Sequence, residues 1–302
     1  MSPAPVDCLQ QANAILGEGP LWHPEQKALY WIDVIRPAIY RMVPGKGQTG
    51  NWPMPSAVGA FALCRSGQLI VALENEAVCL FDPVTGKLQP FVDPVSICGP
   101  RGNQGRYNDG RVDALGNFWL GWLSHDRQQP GALYRIDAAG GVKRVLDDPV
   151  APNGLGWSPD GRTLYFTDSH INTIWAYACD LATGVLGARR ELAKQDRSEG
   201  VFDGLCVDAQ GNIWTALYGG GAVVQLAPDG RERMRIDLPV RLVTSCCLGG
   251  DRLQDLLITT AIRRQNTAEL VTQPLAGSVF SIPIALPGIA EHLWTNLGYQ
   301  NI

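Results

Sequence analysis

Six short segments of this chain align, and most open on residues suited to holding or polarising a ligand: Glu18-Gly19-Pro20, Gly59-Ala60-Phe61, Asn108-Asp109-Gly110, Asn153-Gly154-Leu155, Asp203-Gly204-Leu205 and Thr244-Ser245-Cys246, where Gly59 and Thr244 leave room or offer a weak hydroxyl. Four of the six leading residues carry a carboxylate or amide oxygen. Asp, Glu and Asn make up 41 of the 302 residues, so chance alone places about one of them in six positions. Taken singly, Glu-Gly, Asn-Gly and Asp-Gly are ordinary turn dipeptides. Brought onto one axis, their oxygens require a cation or an unusual amount of buried water. Glu18, Asn153 and Asp203 offer hard oxygens only, without thiolate or imidazole. That donor set suits calcium, magnesium or manganese better than structural zinc, although zinc or iron can occupy a catalytic site of this kind. Three protein ligands leave positions open for water and substrate.

Such residues meet only if the elements carrying them are arranged radially, and the rest of the chain repeats in phase with them. The segments recur at roughly 40–50 residues, the spacing of propeller blades. Each is followed by a second apolar run, as in Ala28-Leu29-Tyr30-Trp31-Ile32 and Leu164-Tyr165-Phe166, and by a third, as in Ala132-Leu133-Tyr134-Arg135-Ile136. Turn signals such as Asp82-Pro83-Val84-Thr85-Gly86 then lead to a weaker fourth strand. No sustained helical period is present. Four strands repeated six times predict an all-β, six-bladed β-propeller, one domain over residues 1–302 with the metal site on its central axis. A pair of sandwiches does not explain the shared phase. The segment near Cys8 to Ala14 is expected to add a strand to the last blade, closing the ring and removing an open edge.

Composition narrows the function classes. Hydrophobic residues at 45% and charged residues at 18% suit a folded globular chain. A net charge of −4 gives no electrostatic case for nucleic acid or an anionic membrane. No apolar run reaches the length of a membrane span, and the N-terminus lacks a basic-then-apolar leader pattern. Eight cysteines fall mostly at core-like strand positions (Cys64, Cys79, Cys206, Cys246, Cys247), without a Cys-x-x-Cys pair. They are expected to be reduced small hydrophobes in a cytoplasmic protein with no obligate protein partner.

Gly17-Glu18-Gly19-Pro20, Arg106-Tyr107-Asn108-Asp109-Gly110, Pro152-Asn153-Gly154, Asp203-Gly204 and Thr244-Ser245-Cys246-Cys247-Leu248-Gly249-Gly250 resemble, in order and over the whole chain, the signatures of the senescence-marker protein/gluconolactonase family. The resemblance implies a six-bladed propeller with one divalent cation, calcium foremost, that hydrolyses aldonolactones. It makes Glu18, Asn153 and Asp203 the metal ligands, and Arg106 and Asn108 the substrate contacts. It places Asp126, shorter than the family's usual Glu, at the acidic substrate-contacting position, and Trp122 where a small residue normally stands near the channel mouth.

The expected reaction is hydrolysis of a five- or six-membered sugar lactone, such as gluconolactone, to the aldonic acid. The cation lends Lewis-acid assistance, and Asp203 deprotonates the water while remaining a ligand. Arg106, Asn108 and Asp126 hold the sugar hydroxyls. His125 reads as a solvated loop residue, His23 as a turn residue, and Tyr218-Gly219-Gly220-Gly221 as a wide turn near the mouth, since no strand-to-helix context supports a phosphate loop. Two other readings are a non-enzymatic calcium-binding regulatory propeller and a promiscuous esterase or phosphotriesterase using the same metal.

Overall fold

In a computed structural model of the chain, which describes residues 5–74, 77–99 and 104–295, the strands form six four-stranded antiparallel sheets. Their innermost strands are Gly17–His23, Val58–Leu63, Gly105–Val112, Pro152–Trp157, Val201–Val207 and Val243–Gly249. These strands touch in cyclic order, the sixth returning to the first. The architecture is a six-bladed β-propeller, and the blades are numbered here in that order.

Middle strands are packed by a blade on each face, so they read as continuous apolar runs instead of alternating ones. Ala28–Asp33, Leu69–Leu73 and Phe118–Ser124 are buried at every residue. Leu21 and Ile32 of blade 1 pack with Phe61 and Val71 of blade 2 in one such inter-blade cluster. Outer strands such as Glu232–Asp237 are largely exposed, which explains their weaker apolar signal. Asp7–Gln10 pairs antiparallel with Val279–Pro283, so the N-terminal strand completes blade 6 and closes the ring. This strand ends before Ala14, whose N–H instead donates to Gly277 O at 2.9 Å.

Two short helices, Pro94–Cys98 and Thr267–Thr272, interrupt the β pattern. At five and six residues they are too short for a helical period to register. Asp93 caps the first, and Asn266 with Glu269 forms a capping box on the second. No helix among the described residues is long and apolar enough to cross a membrane. Cys64, Cys79, Cys206, Cys246 and Cys247 are buried, as their strand positions require.

Several buried acids serve the fold. Asp113 and Asp208 occupy the same turn in blades 3 and 5, each followed by Asn at the fourth position and Trp at the sixth. Asp208 accepts from Asn212 N at 3.0 Å, Asn212 Nδ2, Trp214 Nε1 at 3.2 Å and Gln225 Nε2 at 3.1 Å. Donors to a buried carboxylate stabilise it strongly, and losing it strands all of them. Asp208→Ala is therefore expected to cost about 3 kcal/mol or more of unfolding free energy. A chemical-denaturation curve within the experimental scatter of wild type would refute that role.

After blade 6 the chain runs beneath the ring. Gly288 bridges to Asp208 of blade 5 and Trp294 to Cys64 of blade 2, both at the far ends of innermost strands. This segment delivers Glu291 to Arg111 at 3.1 Å, with side chains 11% and 13% exposed respectively. Arg111 also donates to Leu205 O at 2.9 Å. The axial channel is thus stoppered at one end.

Candidate functional site

All six innermost strands carry a register shift at the same place. The shifts fall between Glu18 and Leu21, Val58 and Ala60, Asn108 and Gly110, Pro152 and Leu155, Phe202 and Leu205, and Val243 and Ser245. A bulge inserts one residue against the partner strand and re-aims its side chain. At the open end of the channel, the shifts in blades 3, 4 and 5 fall on Asp109, Asn153 and Asp203, which line the cavity. Glycine following the bulged residue lets backbones crowd there: a Cβ on Gly204 would lie 2.0 Å from Ser245 Oγ.

The open end leads into a cavity of about 550 Å³. Glu18, Asn153 and Asp203 line it together, with Arg106 and Asn108. Asn108 Nδ2 donates to Pro152 O at 2.8 Å, tying blade 3 to blade 4, and Arg106 Nη1 donates to Tyr107 O at 2.9 Å. Asn153 Nδ2 donates to Ser169 Oγ at 3.1 Å and to Asp203 Oδ1. Its Oδ1 has no protein donor among the described residues, so it is left to accept from a ligand.

The electrostatics separate these acids from the structural ones. Among the described residues, Glu18 receives a single N–H, from Gly19 at 3.3 Å, and Asp203 only the Asn153 amide. Burial pushes Glu18 well above the usual carboxylate range, and the charges of Asp203 and Asp109 push it further. Burial, with Asp109 adding to it, raises Asp203 to about 8, against the opposing pull of Asn153, Arg106 and Arg127. Burial also raises Asp109 to about 6. Buried carboxylates so poor in donors are costly unless positive charge compensates them. Two carboxylates and an amide oxygen converging on one cavity from blades 1, 4 and 5 fit a hard divalent cation.

Two expectations change. Asp126 is not brought into the cavity: it sits in an exposed turn, where Ser124 Oγ at 2.8 Å and Gln128 N at 3.0 Å occupy its carboxylate. Its neighbours His125 and Arg127 line the cavity instead, and His125 Nε2 pairs with Glu74 at 3.1 Å. Trp122 does not line the cavity: it is buried among residues of blades 2 and 3, while the next residue, Leu123, lines the cavity from the opposite face of the strand. The leading positions of blades 2 and 6 offer the ligand nothing. A Cβ on Gly59 would meet Tyr107 O at 2.1 Å, and Thr244 Oγ1 donates to Gly17 O, leaving Ser245 to line the cavity.

Asp109 is a cavity residue that sequence reasoning passed over. Its signal was present as two oxygen-bearing residues before one glycine in Asn108-Asp109-Gly110, where the bulge selects the second. Tyr218 lines the cavity from the glycine-rich turn, as its place near the mouth required. His23 closes a strand turn by accepting from Gln26 N at 3.4 Å.

Residues 16–262 match the SMP-30/Gluconolactonase/LRE-like region. The chain is 35% identical over 293 residues to a 6-deoxy-6-sulfogluconolactonase of Pseudomonas putida, covering 96% of this chain and 98% of the relative. It is 31% identical over 300 residues to the regucalcin of Homo sapiens, covering 97% and 99%. Among solved structures, a calcium-binding regucalcin from Agrobacterium tumefaciens superposes with a TM-score of 0.89 at 26% identity, covering 97% of each chain. A gluconolactonase from Xanthomonas campestris shares the fold, with a TM-score of 0.75 at 23% identity over 93% of this chain and 89% of that one. By the span of the match and the identity of its relatives, the chain belongs to the SMP-30/gluconolactonase/LRE-like family.

Proposed function

We propose that this protein hydrolyses a sugar lactone to the aldonic acid with the help of one divalent cation. The observation that carries the reading is the convergence of Glu18, Asp203 and Asp109 in a cavity closed at its base, almost without donors, beside Arg106 and Asn108. The relatives named gluconolactonase and sulfogluconolactonase support the reaction class, and the calcium-binding regucalcin supports the cation.

Glu18, Asn153 and Asp203 are the residues that hold the cation, with calcium the first choice and manganese, magnesium, zinc or iron as alternatives. When bound, it supplies Lewis-acid stabilisation of the charge that develops on the lactone carbonyl. Asp203, a carboxylate lining the cavity, takes the proton of the attacking water. As the acyl carbon gains the water oxygen, the acyl–oxygen bond of the ring breaks and the ring oxygen takes up a proton, so one proton is transferred overall. Arg106 and Asn108 orient the sugar hydroxyls, each anchored by a backbone carbonyl of the inner strands. The Arg111–Glu291 stopper keeps solvent from entering through the far end of the channel.

The test is a panel of aldonolactones, aryl esters and phosphotriesters, assayed with and without a chelator and after reloading with calcium, manganese, zinc or ferrous ion. Aldonolactones are expected to be turned over fastest. Chelation should lower that rate on the order of a hundredfold or more, and added cation should restore it. Turnover indifferent to chelation overturns the metal role, and aryl esters outrunning every lactone overturn the substrate class.

A further inference from the structure

Six arginines line the cavity. Arg106 and Arg111 stand on the inner strand that also carries the acid Asp109, whereas Arg127, Arg197, Arg263 and Arg264 come from connecting segments. Arg127 follows the middle strand of blade 3 and Arg263 and Arg264 that of blade 6. The ends of these middle strands pair with the starts of the inner strands, as in Gly105 with Ser124 and Val243 with Thr260. Loops from both blades therefore rim the open end of the channel.

Three of the six have local roles: Arg106 holds Tyr107 O, Arg111 pairs with Glu291, and Arg197 donates to Ser169 O and His170 O. Arg127, Arg263 and Arg264 have neither an ion pair nor a side-chain hydrogen bond among the described residues. Arg127 and Arg264 also adopt φ values of 55° and 59°. The left-handed region is uncommon for a residue other than glycine, and a backbone held there often marks a functional constraint. The guanidiniums feel one another as well: after burial, Arg263 is the leading influence that lowers Arg127. A neutral sugar needs hydroxyl partners, not several unpaired cations crowded against one another. The carboxylate newly formed in the product arises among the acids, so it does not account for cations at the rim either.

We infer that the substrate is an anionic sugar lactone, its acidic terminal group held by Arg127 and Arg263, with Arg264 adding charge, while the lactone ring reaches down to Glu18, Asn153 and Asp203. The inference rests on the lactonase reading above. A sulfonate, phosphate or carboxylate on the terminal carbon shares the chemistry that guanidinium forks recognise.

The experiment compares kcat/KM for gluconolactone with that for its 6-sulfonate, 6-phosphate and 6-carboxylate counterparts, in wild type, Arg127→Gln and Arg263→Gln. Wild type should prefer at least one charged lactone by about ten- to a hundredfold, chiefly through KM. That preference should shrink as salt is raised. Each variant should cut the charged-to-neutral ratio by about tenfold, and the charged arm with the largest ratio identifies the acid group. In parallel, calorimetric titration of 6-phosphogluconate against gluconate reads the charge preference without turnover. Equal kcat/KM for neutral and charged lactones overturns this inference and leaves lactone hydrolysis standing. If no lactone is turned over but 6-phosphogluconate binds more tightly than gluconate and Arg127→Gln abolishes the difference, the anion site stands and the lactonase reading falls.

Discussion

Asp203→Asn is expected to lower kcat for aldonolactone hydrolysis roughly a thousandfold, the range typical of losing a positioned general base. The substitution preserves volume on a strand buried at nearly every position, so the blade should fold normally. It removes the carboxylate that lines the cavity in position to take a proton from water. It also removes one of the two carboxylates available to the cation, so metal affinity should fall alongside kcat. Steady-state kinetics at saturating metal separates the two effects: a loss that excess cation fully restores would leave Asp203 as a ligand only. Turnover within a few-fold of wild type would dismiss it from both roles.

The second large effect concerns the protein stripped of cation. Asp203 has a folded pKa of about 8, raised from an unfolded value of about 3.9, and Glu18 is raised likewise. Between those values the folded state binds protons that the unfolded state has released, so stability falls as pH rises through the window. The chelated protein should therefore melt lower at pH 8 than at pH 5.5. Cation binding holds both carboxylates ionised and releases their protons, so affinity should rise with pH over the same interval. At a free cation concentration about a hundred times Kd, the stabilisation is about 2.7 kcal/mol. Thermal melts with chelator and with calcium at the two pH values check this. A chelated protein that grows more stable toward pH 8, with no cation-dependent gain, would show that these acids are satisfied by the protein itself.

Much of the fold was legible because each blade is encoded locally. Apolar runs such as Leu69–Leu73 are strands whose two faces are both covered, and turns such as Pro159-Asp160-Gly161 punctuate them regardless of distant context. The strand near Cys8 was inferred from the need to leave no open edge, and it pairs where that need placed it. The helices escaped notice because six residues carry too little periodicity to stand out from connecting chain.

The candidate site divides along the same line. Oxygen-bearing residues before glycine, recurring in one phase, were enough to single out Glu18, Asn153 and Asp203, and all three line the cavity. Asp126 could not be rejected that way, because whether its carboxylate turns inward depends on Ser124 and Gln128 competing for it in a turn. Nor could local reading show that Arg127 and Arg263 share one rim, or that Glu291 stoppers the channel through Arg111, 180 positions earlier in the chain. The amino-acid sequence alone determined the repeat, its six-bladed closure and the hard-oxygen chemistry of the inner strands, since these follow from short-range patterns repeated in phase. Tertiary structure decided which charges face one another across the channel, because those distances exist only once separate blades have closed around a common axis.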